Sequence, residues 1–139
     1  MNFNCHYLKT EINSGPAIAR NLGLKNSYQN FIAFVDDDDT ITADMLKFCN
    51  SQYDIITTFF YFMPDDPVRT DSYINPVNGM IFNRDFLNKY QLEFPSIHYG
   101  AEDSIFRSLC FILTDNILRV EDETESFYYR CVRNDSCFG

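Results

Sequence analysis

The sequence predicts an α/β layered domain whose sheet is mainly parallel. Three observations carry this expectation. Short apolar runs alternate along the chain with stretches of helical periodicity, the pattern of strands joined by helices. The chain has 139 residues, the size of one domain around one modest core. Its 14 Phe and 9 Tyr supply enough apolar area to fill that core, so residues 1–139 read as a single folded domain rather than a disordered segment.

A short strand is expected first, at "CHYLKT", where residues alternate weakly. "NSGP" interrupts it. Gly15 suits an N-cap and Pro16 the first helical position, where a missing N–H costs nothing. A helix then runs to about Ser27, with Ile18 and Leu22 on one face. Phe31 to Val35 is a short apolar run and reads as a buried strand. "TADMLKFCNS" predicts a short helix with Met45, Leu46 and Cys49 turned inward. "DIITTFFYFM", rich in β-branched and aromatic residues, predicts one strand ended by "MPDDP"; its "FFYF" is core. "NGMIFN" predicts another strand and "RDFLNKY" a short helix. A loop follows around "SIHYGAED". Ser104 to Thr114 predicts a helix that buries Ile105, Leu109 and Leu113 at four-residue spacing. "NILRVED" and "ESFYYRCV" finish as strands.

Composition excludes several classes. The net charge of −9 argues against nucleic acid as a partner, because phosphate backbones need a basic face. It leaves room for a divalent cation as counter-charge. No apolar run approaches the ~18 residues of a membrane span. "MNFNCHYLKTE" is too polar for a secretory leader. The cysteines (Cys5, Cys49, Cys110, Cys131 and Cys137) are odd in number and lack C-x-x-C spacing. That predicts packing thiols in a reducing cytoplasm rather than a disulfide framework or a zinc site. His6 and His98 have no ligand-like spacing.

The sharpest feature is "FIAFVDDDDT", an apolar strand running into four aspartates. Adjacent like charges repel, so they must be solvated or paired. One reading is a solvated turn, with Asp39 or Thr40 capping the next helix. The other is a cation site. The carboxyl end of a parallel strand opens on the crevice where α/β folds place ligands. Strand alternation would put Asp36 and Asp38 on one side and Asp37 opposite. Two such carboxylates suit a hard cation, Mn²⁺ or Mg²⁺, which in turn attracts a diphosphate.

Longer motifs bear on that choice. "NSGPAIARNLGL" (13–24) and "FVDDDDTITADML" (34–46) are followed by "VNGMIFNRDFL", "GAEDSIF" and "FYYRCVRNDS". Together and in this order they resemble the inverting GT-A-fold glycosyltransferases of the large family-two type. That family shows N-x-G-x-x-x-A-R-N-x-G, a strand ending in D-x-D-D, an acceptor-side segment, an E-D pair opening a helix, and a terminal Y-x-Y-R stretch. The resemblance implies a GT-A, Rossmann-like domain that moves a sugar from a nucleoside-diphosphate sugar to an acceptor hydroxyl with the help of Mn²⁺ or Mg²⁺. Asp36 and Asp38 match the pair that holds the metal and the sugar-nucleotide, and Asp39 is their usual acidic neighbour. Arg20 matches the arginine near the donor nucleotide. Asp103 matches the general base, with Glu102 beside it. Arg130 and Arg133 match a basic terminal segment near the diphosphate. As plain structure, Asp103 is a helix N-cap, Arg20 faces solvent, and Arg130 and Arg133 are surface charges.

The family's first strand, first helix and second strand, which grip the base and ribose, have no counterpart here. The expectation is therefore a truncated domain with an exposed sheet edge. A second copy, a partner chain or a rearranged N-terminal strand would cover it. Three functions follow: a minimal glycosyltransferase, a non-catalytic remnant or half of a split enzyme, or an acidic domain that binds a divalent ion or a protein.

Overall fold

The structure, a computed structural model, describes residues 5–49, 52–58, 60–62, 77–97, 100–120 and 127–130, with 60–62 and 130 as backbone only. His98, Arg133, Cys131 and Cys137, the "MPDDP" segment and the side chains of "FFYF" and Arg130 lie outside the described residues.

Helix α1 (Pro16–Asn26) begins as its sequence dictates. Gly15 caps it at φ 82°, a conformation L side chains rarely adopt, and Pro16 follows at the first helical position. Its inward face is not the expected one. Ala17 and Leu24 pack on the core, whereas Ile18 is exposed. Arg20 and Asn21 share that inward stripe and make their hydrogen bonds there. "CHYLKT" forms no strand, and Tyr7 is exposed.

Strands β1 (Phe31–Ala33), β3 (Ile55–Thr57), β5 (Met80–Asn83) and β6 (Ile117–Arg119) form one sheet in the order β1-β5-β3-β6. Strands β2 (Thr40–Ile41), β4 (Phe60–Phe62) and β7 (Tyr128–Arg130) form a second, in the order β2-β7-β4. The layered α/β fold is as expected, but the sheets are mixed. β5 runs antiparallel to both its neighbours, and only the pairs β3–β6 and β4–β7 are parallel. The expected long strand at "DIITTFFYFM" is broken into β3 and β4, which belong to different sheets.

Two cores result, one on each face of the larger sheet, because side chains alternate along a strand. Ile32, Ile55 and Phe82 face helices α1, α2 (Arg84–Lys89) and α3 (Glu102–Leu113). Phe34, Phe82, Phe94 and Phe106 form an aromatic cluster there, with Phe94 and Phe106 stacked 4.0 Å apart. Ile56 and Ile81 face the other way, onto Phe127, Tyr128 and the 3-10 helix Ala43–Phe48. That 3-10 helix turns Met45 and Cys49 inward but leaves Leu46 exposed.

Helix α3 starts two residues earlier than expected, and its N-cap is Ala101. It buries Glu102, Phe106 and Cys110, while Ile105 and Leu109 are exposed. Burial pushes the Cys110 thiol up to about 12, so it remains a neutral packing group. No helix among the described residues is long and apolar enough to cross a membrane.

Among the described residues, strand β1 is an edge of its sheet. The Arg84 N–H donates to the Asn30 carbonyl, so that pair is hydrogen-bonded, as is Ile32 with Phe82 two residues on. The backbone groups of Phe31 and Ala33 therefore point the other way, into an open groove of about 580 Å³. Arg20, Gly23 and Leu24 of α1 form its opposite wall, and it reaches Asp36 and Asp37.

Candidate active site

β1 ends at Ala33, and the aspartates form a turn rather than a strand extension. The Asp39 N–H donates to the Asp36 carbonyl at 3.2 Å. Strand alternation therefore does not place Asp36 and Asp38 together. The turn gives each carboxylate its own environment.

Asp36 is held on both oxygens. Arg20 Nη2 donates to Oδ1 at 3.2 Å and Asn78 Nδ2 donates to Oδ2 at 2.7 Å. The side chain of Asp36 is still 43% exposed, so it faces both protein and solvent. Asp39 accepts a short hydrogen bond from the buried Tyr128 hydroxyl. Burial, and then the Asp39 carboxylate, raises the Tyr128 phenol above its ordinary range. Tyr128 thus acts as a fixed donor tying β7 to the turn. Asp37 is exposed and Asp38 half-buried. No hydrogen bond or ion pair joins either to another described residue.

Arg20 reaches the other half of the site. Its Nη1 donates to Glu102 Oε1 at 3.0 Å, and the Glu102 side chain is only 7% exposed. A buried carboxylate needs such a partner, because an unpaired charge there is costly. The guanidinium also lies over the Phe94 ring, 5.5 Å from its centroid. Phe94 is fixed in turn by Asn21, whose amide donates to its carbonyl and accepts from its N–H, both at 2.8 Å. One helix thereby sets the arginine and the ring beneath it.

Glu102 is accordingly committed to Arg20. Asp103, the next residue, is half-buried in the first turn of α3 and is not its cap. Its Oδ1 accepts from the Ser104 N–H at 2.6 Å and from Ser104 Oγ at 3.3 Å. Among the described residues no three carboxylate, imidazole or thiol groups are placed to hold a metal ion. Asp38, which makes no bond to another described residue, still suits a hard cation, since Mg²⁺ is commonly held by one or two carboxylates and completed by substrate phosphates.

The structure therefore joins Asp36, Arg20 and Glu102, with Asp103 adjacent, and sets Asp38 and Asp39 in the same turn as Asp36. Sequence reasoning passed over Asn78 and Tyr128. Both lie in motifs that were singled out, "VNGMIFN" and "FYYR", but neither polar tip has a partner nearby in sequence. The contacts span 42 and 89 residues.

The α/β domain, with an acidic turn after an edge strand bonded through an arginine to the start of a helix, has the GT-A fold class. The sequence profile of glycosyl transferase family 2 matches residues 1–107, and the chain belongs to that family. It is 51% identical over 35 residues to uncharacterized glycosyltransferases of Rickettsia felis and Rickettsia conorii, covering 25% of this chain and 6% of theirs. Among solved structures, TarS 1–349 of S. aureus superposes with a TM-score of 0.73 at 24% identity, over 88% of this chain and 42% of that one. The same TarS fragment in complex with UDP-GlcNAc gives 0.71 at 20% identity, over 88% and 40%. The chain thus spans less than half the length of these structures and a small part of the curated relatives.

Proposed function

We propose that this chain is a glycosyltransferase domain that moves a sugar from a nucleoside-diphosphate sugar to an acceptor hydroxyl, with inversion and with a divalent metal. The observation that carries the reading is the Arg20 bridge, which brings the aspartate turn and the start of α3 to one place. Donor-binding and base-supplying groups must converge in this way for direct displacement.

Asp103 is the general base. It takes the proton of the acceptor hydroxyl, whose oxygen then attacks the anomeric carbon from the face opposite the leaving group. The new carbon–oxygen bond forms as the bond to the diphosphate breaks, and the nucleoside diphosphate departs. Asp36 orients the donor. Asp38, with Asp39 beside it, would hold Mn²⁺ or Mg²⁺, which when bound would supply Lewis-acid stabilisation of the leaving diphosphate. Arg20 acts as the link between the two halves and borders the groove that leads to them. Arg130 and Arg133, of the terminal motif, would supply positive charge for the diphosphate. TarS is crystallised with UDP and with UDP-GlcNAc, so a uridine diphosphate sugar is the first donor to test. The free thiols of Cys5, Cys49 and Cys110 suit a cytoplasmic location.

Melting of the chain with Mn²⁺, UDP, and both together tests this reading. A ligand at about 100 times its dissociation constant stabilises by about 2.7 kcal/mol, a shift of several degrees for a domain of this size. A shift that needs metal and nucleotide together is expected. No shift with any nucleoside diphosphate would remove the donor site from the isolated chain.

A second reading draws on the open edge of β1. In it the chain works as part of an assembly, with a second copy or a partner chain laying a strand into the groove. Light scattering across a concentration series separates a self-associating chain from one that needs a different partner.

A further inference from the structure

Asp36 is gripped on both oxygens, and the two grips differ in what they do for the fold. Arg20 holds Oδ1 and also neutralises the buried Glu102, so it has a structural reason to be there. Asn78 holds Oδ2 through its Nδ2. The other end of that amide is at a disadvantage. Asn78 is 5% exposed, and its Oδ1 is buried without a hydrogen-bond partner among the described residues. The assignment of oxygen and nitrogen follows from the partner, because an ionised carboxylate only accepts.

A buried acceptor left unpaired costs stability, and an apolar side chain of the same shape avoids that cost. The amide therefore carries an unpaired buried acceptor while gripping one carboxylate of the acidic turn. Its backbone is well fixed, since Val77, Asn78 and Gly79 form a wholly buried 3-10 turn running straight into β5. A single contact on Oδ1 leaves a carboxylate able to swing about its Cβ–Cγ bond. A second contact on the opposite oxygen removes that rotation.

We propose that Asn78 is a positioning residue for Asp36: with Arg20 it fixes the plane of the carboxylate, so that its remaining lone pairs are set for the donor. This rests on the donor-side reading of Asp36 given above.

The test compares wild type, Asn78→Leu and Asn78→Asp in the full chain, by melting without ligand and by titration with UDP in Mn²⁺. Asn78→Leu keeps the branching and the number of side-chain heavy atoms and removes both polar atoms. The free variant is expected to melt at or above the wild type, by up to about a few degrees. Its UDP affinity is expected to fall about tenfold or more, the usual effect of losing a group that orients a ligand-binding side chain. Asn78→Asp keeps the shape, replaces the donor with a like charge, and should weaken UDP at least as much. A residue that serves only the fold gives the reverse, a lower melting temperature with UDP affinity retained, and that result overturns the inference. If the wild type binds UDP and Asn78→Leu binds it equally well, the inference falls alone. If the wild type binds no nucleoside diphosphate, the donor-site reading falls and takes the inference with it.

Discussion

Glu102 and Asp103 are neighbours in sequence with opposite environments. Glu102 is buried against Arg20, and Asp103 is half-buried with a local hydrogen bond from Ser104. A carboxylate locked in an ion pair is a poor proton acceptor, whereas one with free lone pairs can take a proton within hydrogen-bond reach. Asp103→Asn is therefore expected to lower the turnover of sugar transfer by about 10²-fold or more, with donor affinity little changed. Steady-state kinetics against the donor checks this, and an unchanged turnover would move the base elsewhere. The sequence could not separate the two acids, because both read as helix-opening residues of one motif. The distinction depends on Arg20, which lies 82 residues away in sequence. The aspartate turn was legible as a cluster but not residue by residue. Which carboxylate meets an arginine, an amide or a phenol is decided by contacts across the fold.

At the scale of elements, α1 and α3 show why a stripe of spacing can select the wrong face. In α3, Ile105 and Leu109 are four apart, but so are Glu102, Phe106 and Cys110, and the second set is buried. A charged residue opens that stripe, so counting apolar residues passes it over. In α1 the buried stripe carries Arg20 and Asn21 between Ala17 and Leu24. Both helices turn polar residues inward because those residues bond across the fold, and an apolar count passes over such a stripe. The positions of strands and helices were largely legible from alternation. Their pairing was not, since antiparallel β5 is set by contacts distant in sequence. Removing the arginine exposes this dependence. Arg20→Leu leaves Glu102 buried without its partner, and about 3 kcal/mol or more of stability should be lost. The double variant Arg20→Leu, Glu102→Leu removes both charges and should recover much of that loss. Denaturant titration of the two variants measures it. A double variant no more stable than the single one would mean that Arg20 acts mainly through Phe94 and Asp36.

For the whole molecule, the edge that β1 forms among the described residues is the place to test for a contact between copies. Along β1 the hydrogen bonds alternate in direction: Ile32 is bonded to β5, while Phe31 and Ala33 face the groove. Proline lacks an N–H, so its effect depends on which way the lost group pointed. Ile32→Pro removes a bond inside the sheet and should destabilise by about 3 kcal/mol or more. Ala33→Pro removes only an outward donor, and the residue before it is already extended, as a residue preceding proline prefers. The Ala33→Pro chain should therefore stay folded. If a second copy adds a strand at this edge, light scattering should find wild-type mass rising with concentration while Ala33→Pro stays monomeric. If both chains associate equally, the contact lies elsewhere, and the exposed face of α3 with Ile105, Leu109 and Ile112 becomes the place to substitute. If neither associates, the groove is not a contact between copies.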